Sequence, residues 1–366
     1  MRIVILGLTI TSSWGNGHAT TYRGLVRGLA RRGHQVLFLE RDKPWYADNR
    51  DMPAPPWGET RLYSGLDELT GRWSAAIAAA DLVVVGSYVP DGTAVGALVQ
   101  RLAGGTVAFY DIDTPVTLAA LEASACDYLT PELLRGFDLY LSFTGGPTLQ
   151  YLEATLGARA ARPLYCSADP EVYRPDPDTQ PTLDLGYLGT YSRDRQPTVD
   201  ALLCQPAQAW PEGRFAVAGP LYPAEIAWPA NVERVEHLAP DRHRAFYAGQ
   251  RFTLNVTRAD MIQRGYSPSV RLFEAASCGV PIISDWWAGL DAFFKPDEEI
   301  LIARDAGEVL RVLRSMPEAR RREVAEAARA RVLGAHTGDH RAAELEAYAA
   351  EAAQGAQTGA RRTVRA

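Results

Sequence analysis

The feature that most constrains the fold is a regular alternation of short apolar runs with segments of helical periodicity. The runs in the first half, each bounded by Gly or polar residues, are RIVILGL, HQVLFLERD, AADLVVVGSY, TVAFYDID and FDLYLSFT. The segment TTYRGLVRGLARRG has apolar residues at helical spacing and ends on Gly33, a suitable helix C-cap. Strands that are apolar throughout and separated by helices predict a parallel sheet covered on both faces.

The alternation starts again in the second half, after a segment rich in Pro and Asp. This segment, ADPEVYRPDPDTQPT, has the composition of an extended connector between domains. The strand-like runs that follow are LDLGYLGT, RFAVAGP, VERVEHL, RFTLNVT, VPIISD and EEILIA. A chain of 366 residues is long enough for two domains of ordinary size. The sequence therefore predicts an α/β protein with two similar parallel-sheet domains in tandem.

Charge, cysteine usage and hydropathy argue against several functional classes. The net charge of −6 gives no reason to expect nucleic acid or an anionic membrane as a partner. The four cysteines lie far apart without a CxxC pair, so we expect reduced thiols and no metal site. No run reaches the roughly twenty apolar residues of a membrane span, and the N-terminal run lacks a signal-peptide cleavage pattern. We expect a cytoplasmic protein.

A glycine-rich loop joins the first predicted strand to the first helix. Gly15 and Gly17 precede His18, so the backbone can turn tightly and approach a ligand at the helix N-terminus. The spacing does not fit the GxGxxG dinucleotide fingerprint, so a dehydrogenase is not predicted. His18 is either a capping or packing residue, or a functional one, because ligands bind at the carboxyl edge of open α/β sheets.

Two carboxylates follow another predicted strand. Asp111 and Asp113 lie at the carboxyl end of the run TVAFYDID, two positions apart. Such a pair is suited to hydrogen bonds with sugar hydroxyls or to proton transfer from an acceptor. Asp113 has an equally simple alternative role as the N-cap of a helix beginning near Pro115, whereas Asp111 has no such role. Asp111 is therefore a candidate catalytic residue.

In the second half, a Gly turn after a strand is followed by two arginines. Gly189 and Thr190 give a tight exit from the strand, and Arg193 and Arg195 follow them. Arginine favours bidentate contacts with phosphate oxygens, although a single arginine on a surface is usually only solvated. Two arginines beside a Gly turn at the edge of a sheet make this loop a candidate phosphate site.

The stretch GYSPSVRLFEAASCGVPIISD begins a helix with a turn that is favourable for anions. Ser267 is a possible N-cap, and Pro268 is well placed at the first helical position. The N–H groups of Ser269 and Val270 then lie at the positive end of the helix, which favours a diphosphate.

Two charged residues follow in the first turns of this helix. Arg271 and Glu274 are three apart and share a face, so the arginine can neutralise phosphate while the carboxylate accepts hydrogen bonds from vicinal ribose hydroxyls. The alternative is a surface ion pair worth a few tenths of a kcal/mol. The neighbouring Leu, Phe and Ala residues leave little of the helix facing solvent, and a buried charge pair needs a partner or a cleft.

Together these segments resemble the GT-B glycosyltransferases. The segment GNGHATTYRGLVRGLARRGHQVLFLERD resembles the N-terminal signature of that fold, with a Gly-His loop, a helix and an RGH-V strand. FEAASCGVPIISD resembles the nucleotide-sugar segment of the group 1 transferases, an E-A-x-A-x-G-x-P-V pattern. The longer form GYSPSVRLFEAASCGVPIISDWWAGLDAFF is similar to the CgeB-like, or spore maturation protein, branch. The resemblance covers most of the chain.

The resemblance implies two Rossmann-like, doubly wound parallel-sheet domains that face a central cleft. Residues 1–165 would form the acceptor domain and residues 166–334 the nucleotide-sugar domain. We expect the C-terminal helices, about residues 335–366, to pack back on the first domain.

The resemblance also implies roles for individual residues. Glu274 would bind the ribose, and the Ser267–Val270 turn would hold the diphosphate. The Gly189–Arg195 loop would add phosphate contacts, and the strand end Val235–Leu238, with Leu238 as its last residue, would contact the edge of the base.

One position departs from the pattern of the group 1 transferases. They often carry a first Glu eight positions before the ribose Glu, near the sugar, and this chain has Tyr266 there. We include Tyr266 with His18 and Asp111 among the candidate catalytic residues. Both stereochemical outcomes stay open, because the loop of His18 binds substrate in retaining relatives and would supply a base in an inverting enzyme.

The expected function is transfer of a sugar from a UDP- or other NDP-sugar to an unknown glycan, protein or small molecule. No cofactor or metal is expected, because arginines and a helix dipole can stabilise a leaving diphosphate. Asp111-Ile112-Asp113 mimics a DxD metal triplet but lies in the presumed acceptor domain. The alternatives are a nucleotide-sugar 2-epimerase of the same fold and a non-catalytic sugar-nucleotide or glycan-binding protein. The donor sugar, the base, the acceptor and the oligomeric state are open.

Overall fold

The computed structural model of the chain describes residues 1–15 and 17–363, with side chains described as far as residue 355. The chain divides into two compact units. Met1–Cys166 and Gly338–Ala366 form the first unit, and Ser167–Thr337 forms the second. No helix in the described part of the chain is long and apolar enough to cross a membrane.

Seven parallel strands form the sheet of the first unit: β1 (Arg2–Gly7), β2 (Gln35–Arg41), β3 (Glu59–Tyr63), β4 (Leu82–Gly86), β5 (Thr106–Asp111), β6 (Leu139–Ser142) and β7 (Ala161–Pro163). Their order is β3-β2-β1-β4-β5-β6-β7. β4 and β5 are buried along their whole length, as the continuous apolar runs predict. The strand order reverses between β1 and β4, and ligands bind outside the carboxyl ends of the strands at such a reversal.

Helices cover this sheet and complete its core: α1 (His18–Arg31), α2 (Pro44–Ala47), α3 (Leu66–Glu68), α4 (Ser74–Ala79), α5 (Gly92–Leu102), α6 (Thr114–Glu122), α7 (Pro131–Gly136) and α8 (Pro147–Ala154). A π-helical turn, Leu69–Trp73, joins α3 to α4. The segment 44–63 contains a short helix and the strand β3. β3 carries charged residues on its exposed face because it is an edge strand, and this hides its strand character in the sequence.

The second unit contains a parallel sheet of six strands: β8 (Leu183–Leu188), β9 (Phe215–Ala218), β10 (Val232–Val235), β11 (Gln250–Asn255), β12 (Ile282–Ser284) and β13 (Leu301–Ile302). Their order is β10-β9-β8-β11-β12-β13. The strand order reverses here between β8 and β11, so the carboxyl ends of these two strands mark the expected ligand site of this sheet.

The helices of the second unit are α9 (Gln196–Val199), α10 (Gln205–Ala209), α11 (Pro240–Ala248), α12 (Ala259–Arg264), α13 (Val270–Ser277), α14 (Ala306–Ser315) and α15 (Glu318–Ala335). A π turn, Asp200–Cys204, joins α9 to α10, and a 3-10 turn spans Leu290–Ala292. The last helix, α16 (Gly338–Thr363), belongs to the first unit. It packs along α1, where Arg32 forms an ion pair of 2.6 Å with Glu346.

The segment predicted as an extended connector belongs to the second unit and is anchored to it at Tyr173, although most of its other residues are exposed. Tyr173 is 3% exposed, and its carbonyl accepts a hydrogen bond of 2.5 Å from the hydroxyl of Ser277. The backbone N–H of Ala168 donates to the carbonyl of His336 at 3.0 Å, and Ala168 pairs with Thr337 in a parallel bridge. The chain therefore enters and leaves this unit at adjacent positions. The Pro- and Asp-rich composition conceals the anchoring role of the tyrosine.

Candidate functional site

Arg271 lies at the strand reversal of the second sheet. Its Nε donates to the carbonyl of Leu188, the last residue of β8, at 2.5 Å, and one terminal nitrogen donates to Asn255 Oδ1 at 2.8 Å. The guanidinium also lies over the ring of Tyr187, 4.9 Å from its centroid. All its hydrogen bonds within the described chain, including one of 3.4 Å to the carbonyl of Val256, go to neutral oxygens. The positive charge is thus fixed in place while remaining available to an anion.

Glu274 is buried one turn inside the same helix. The residue is 5% exposed, and the hydroxyl of Tyr247 donates to its Oε2 at 3.4 Å. Burial raises the pKa of Glu274 to about 7. Three weaker effects lower this pKa: a hydrogen bond from Tyr173, the positive charge of Arg271 and a hydrogen bond from Tyr247. Arg271 itself is 8% exposed, so the interpretation of these two residues as a surface ion pair is wrong.

The helix that carries them, α13, begins later than the sequence predicts. Its N-cap is Ser269, which has extended backbone angles, rather than Ser267, so Pro268 lies outside the helix. The hydroxyl of Ser269 donates to Asn255 at 2.9 Å and makes no capping hydrogen bond. Val270 is therefore the first helical residue, and the anion-favouring helix end is displaced by two residues from its predicted position.

The segment before this helix holds Tyr266 in a strained conformation. Tyr266 has φ +48°, in the left-handed region that aromatic residues rarely adopt, and its N–H donates to the carbonyl of Ala288 at 2.7 Å. Its ring covers Gly289, where a Cβ would lie 2.5 Å from the aromatic carbons. The tyrosine is partly exposed, and its catalytic role stays a prediction.

The Gly189–Arg195 loop leaves β8 beside the same strand ends. A Cβ on Gly219, which has φ +144°, would lie 2.1 Å from the carbonyl oxygen of Gly189, so the two backbones approach as closely as glycine allows. Arg195 donates to the carbonyl of Thr190 at 2.5 Å and is partly buried, whereas Arg193 is exposed. The structure thus distinguishes Arg195, which is held at the edge of the sheet, from Arg193.

A third arginine completes a basic cluster that the sequence did not reveal. Burial lowers the pKa of Arg195, and the positive charges of Arg271 and Arg258 lower it further. The Nε atoms of Arg195 and Arg258 are buried without a hydrogen-bond partner among the described residues. Buried polar groups in proteins nearly always have partners, so this edge is suited to an anionic ligand. Among those residues, no three His, Cys, Asp or Glu side chains form a metal-ligating group.

Leu238 lies in the segment between β10 and α11, three residues beyond the strand end. Its carbonyl is hydrogen-bonded to Nε2 of His243 at 3.2 Å, and Nδ1 of that histidine lies 3.5 Å from the hydroxyl of Tyr173. A base contact at Leu238 stays a prediction.

In the first unit, His18 is the first residue of α1 and lies at the strand reversal of its sheet. It is 6% exposed, and burial lowers its pKa to about 4, so the imidazole is neutral at pH 7. Its ring contacts the edge of Tyr88, with 5.4 Å between centroids. Gly17 is the N-cap and Gly15 has φ +66°, while Asn16 between them lies outside the described residues.

The loop before α1 is held by Glu40, a buried carboxylate at the end of β2. Its Oε2 accepts hydrogen bonds from the N–H groups of Ile10 and Thr11 at 2.7 and 3.0 Å, and its Oε1 accepts one from the Thr11 hydroxyl at 2.6 Å. Glu40 thus positions the loop that leads to His18.

Asp111 lies beneath the carboxyl edge of this sheet. Oδ2 accepts a hydrogen bond of 2.5 Å from the hydroxyl of Tyr140, and Oδ1 accepts one of 2.7 Å from Thr117. The residue is fully buried, and burial raises its pKa to about 6. This placement favours a supporting role for Asp111. Asp113 is more exposed and occupies the N-cap position of α6, as the alternative interpretation has it, but its side chain makes no capping hydrogen bond.

Comparisons with known proteins agree with this architecture. Residues 195–347 match a family model described as glycosyl transferase-like. No curated protein matched the chain in sequence. Sucrose-phosphate synthase from Thermosynechococcus elongatus is similar in structure, with a TM-score of 0.68 and 15% identity over 96% of this chain and 99% of that one.

Two further solved structures have the same fold. HepE from Anabaena, in complex with UDP-glucose, has a TM-score of 0.66 and 13% identity over 96% of this chain and all of that one. An alpha-glucosyltransferase in complex with UDP has a TM-score of 0.70 and 12% identity over the same shares of the two chains. The two parallel-sheet units, with the strand reversals described above, thus give this chain the GT-B fold of known glycosyltransferases, and its second half matches a glycosyl transferase-like family.

Proposed function

We propose that the chain is a glycosyltransferase that moves a sugar from UDP-sugar, or another nucleoside-diphosphate sugar, to an acceptor. The observation that carries this proposal is the arrangement at the β8 and β11 strand ends. Arg271 is held there by neutral oxygens, Arg195 and Arg258 lie beside it, and the buried carboxyl of Glu274 lies one turn inside α13.

This arrangement is matched to the parts of a nucleoside diphosphate. The arginines and the start of α13 would stabilise the negative charge that develops on the leaving diphosphate, so the proposed mechanism uses no metal ion. Glu274, when ionised, would accept hydrogen bonds from both ribose hydroxyls. The bound UDP-glucose of HepE and the UDP of the alpha-glucosyltransferase, which share the fold, support this choice of donor.

The first unit would supply the groups that contact the acceptor. Because its imidazole is neutral, His18 can accept a hydrogen bond from an acceptor hydroxyl, as the substrate-binding loop of a retaining enzyme would; in an inverting enzyme it would instead accept the proton. Asp111 would act on the site through the helix that follows it. We propose retention of configuration, on the resemblance of the FEAASCGVPIISD segment to the group 1 transferases, although Tyr266 departs from their pattern. We also propose a place in the CgeB-like branch, on the resemblance of the longer GYSPSVRLFEAASCG segment, and a cytoplasmic location.

The experiment measures binding and turnover with matched arginine variants. Isothermal titration with UDP, GDP and dTDP identifies the base, and release of UDP from UDP-glucose measures transfer to water or added acceptors. Arg271→Gln should weaken UDP binding by about 10- to 150-fold, because it removes a charge-assisted hydrogen bond. The control Arg242→Gln removes the same charge from an exposed position of α11 and should leave affinity unchanged.

Two results would contradict the proposal. If none of the three nucleotides binds, the proposed donor site is refuted. If Arg271→Gln and Arg242→Gln lose the same affinity for UDP, Arg271 does not contact the diphosphate. Tight nucleotide binding without release of UDP from UDP-glucose, in water or with any added acceptor, would instead identify a non-catalytic sugar-nucleotide-binding protein.

A further inference from the structure

Asn255, the last residue of β11, is a hub of hydrogen bonds beneath the basic cluster. Its Oδ1 accepts hydrogen bonds from Arg271 at 2.8 Å and from the Ser269 hydroxyl at 2.9 Å. Its Nδ2 donates to Ser284 Oγ at 2.9 Å and to Thr257 Oγ1 at 3.3 Å. The side chain is fully buried. Because Oδ1 faces two donors, one of them a guanidinium, the orientation of the amide is fixed.

A carboxylate lies one hydrogen bond further along the same network. Asp285, which follows β12, accepts a hydrogen bond from the N–H of Thr257 at 2.9 Å and another from its hydroxyl at 2.8 Å. The connected path therefore runs from Arg271 through Asn255 and Thr257 to Asp285. A neutral amide separates the guanidinium from the carboxylate along this path.

The identity of the residue at 255 decides whether Arg271 keeps its charge for a ligand. A carboxylate in contact with the guanidinium would form a buried ion pair and compete directly with a phosphate oxygen. An amide oxygen orients the guanidinium through the same hydrogen bond without neutralising it. Ser269, the N-cap of α13, is held by the same atom, so one side chain places both the cation and the start of the helix.

We propose that Asn255 is a positioning residue that aligns Arg271 and Ser269 without placing a carboxylate in hydrogen-bond contact with the guanidinium, and that it thereby sets a preference for nucleoside diphosphates over nucleoside monophosphates. The inference rests on the proposed nucleotide-sugar function. It adds a determinant of selectivity that contacts no substrate itself.

The test measures affinity for uridine, UMP and UDP by isothermal titration, and its readout is the ratio of UDP to UMP affinity. Asn255→Asp keeps the shape of the side chain and adds a negative charge beside Arg271. We expect the ratio to fall about tenfold, while affinity for uridine changes little, because the added charge acts on the phosphates. General damage to the fold would weaken all three ligands alike and leave the ratio unchanged.

Gln250→Glu is the matched control. Gln250 is 1% exposed and lies on the same strand, so this variant also converts a buried amide into a carboxylate. The two positions are five residues apart, about 17 Å at about 3.3 Å per residue. At that distance the added charge should leave the ratio of UDP to UMP affinity as it is in the unmodified protein.

The outcomes separate this inference from the proposed function. If the unmodified protein binds UDP no tighter than UMP, the diphosphate site itself is refuted. If the unmodified protein prefers UDP and Asn255→Asp keeps that preference, the role of Asn255 is refuted. If circular dichroism shows that Asn255→Asp is unfolded, Asn255→Ala is measured instead. This variant removes the amide oxygen that accepts the hydrogen bond from Arg271, and it should lower the ratio of UDP to UMP affinity about threefold. An unchanged ratio overturns the inference.

Discussion

Replacing Glu274 with Gln tests whether the buried carboxyl of α13 binds the donor as an anion. Glu274 is 5% exposed, and burial raises its pKa to about 7. The ionised form is the one that accepts charge-assisted hydrogen bonds from ribose hydroxyls, so donor affinity should fall as the pH falls through 7. Gln has the same shape as Glu, but its amide does not ionise, so the variant lacks the titrating carboxyl.

The expected size of the effect follows from the fraction of ionised carboxyl. With a pKa of about 7, roughly nine tenths of Glu274 is ionised at pH 8 and roughly one tenth at pH 6, so affinity should drop about tenfold between them. At pH 8 the variant should bind about 10- to 100-fold more weakly than the unmodified protein, because the hydrogen bonds to a charged acceptor are lost. The variant itself should show no pH dependence in this range.

UDP-glucose is the ligand of choice for this titration. Its diphosphate is esterified at both ends and lacks the secondary phosphate ionisation near pH 6, so a change in affinity reports the protein. Isothermal titration at pH 6, 7 and 8 gives the profile. A flat profile for the unmodified protein, or equal affinities of protein and variant at pH 8, would refute the assignment of Glu274 as an anionic ribose ligand.

Thermal unfolding of the same two proteins gives an independent reading of this pKa. The carboxyl has a higher pKa in the folded protein, about 7, than its ordinary value of 4.5, so its contribution to stability is present below pH 4.5 and is lost as the pH rises through 7. At pH 8 the ionised carboxylate should therefore cost about 3 kcal/mol, and Glu274→Gln should remove that cost. The variant should melt higher than the unmodified protein at pH 8, and the difference should vanish near pH 4.5.

Two further predictions concern packing around the proposed site. Tyr140→Phe removes the hydroxyl that donates to Asp111 at 2.5 Å, and should lower the free energy of unfolding by about 1 to 3 kcal/mol in urea titrations at pH 7; no change would mean that this hydrogen bond contributes nothing net. Gly219→Ala places a Cβ 2.1 Å from the carbonyl oxygen of Gly189 and should cost about 3 kcal/mol or more, whereas the control Gly249→Ala, whose nearest contact is 3.3 Å, should cost less than about 1 kcal/mol. Equal losses in the two glycine variants would contradict the close approach of the backbones.

The elements that could be predicted from the sequence are those that a single segment encodes. The continuous apolar runs of β4 and β5 require burial on both faces, and both strands are buried throughout. The apolar residues around Arg271 and Glu274 likewise predict a buried helix, and every residue of α13 from Arg271 to Ser277 is buried. Burial of these two charges in one helix was therefore accessible from local pattern alone.

The residues that escaped prediction depend on which strand ends become neighbours. Asn255 closes an apolar run and looks like an ordinary strand residue until β11 pairs with β8 and brings it to Arg271. Its position at the carboxyl end of a strand was the available signal. Tyr173 was hidden by the Pro- and Asp-rich composition around it. The N-cap of α13 is Ser269 rather than Ser267, and its hydroxyl donates to Asn255, a contact between segments distant in sequence that no local pattern shows.

The pairing of Ala168 with Thr337 has a consequence for how such a protein is rearranged by evolution or in the laboratory. The 167–337 unit is one uninterrupted piece of chain whose two ends are hydrogen-bonded neighbours. A gene segment with adjoining ends can be excised, or exchanged for a homologous segment, at two junctions without rerouting the remaining chain. If the proposed function is correct, chimaeras joined at these two junctions would exchange the unit that binds the activated sugar and so change the donor.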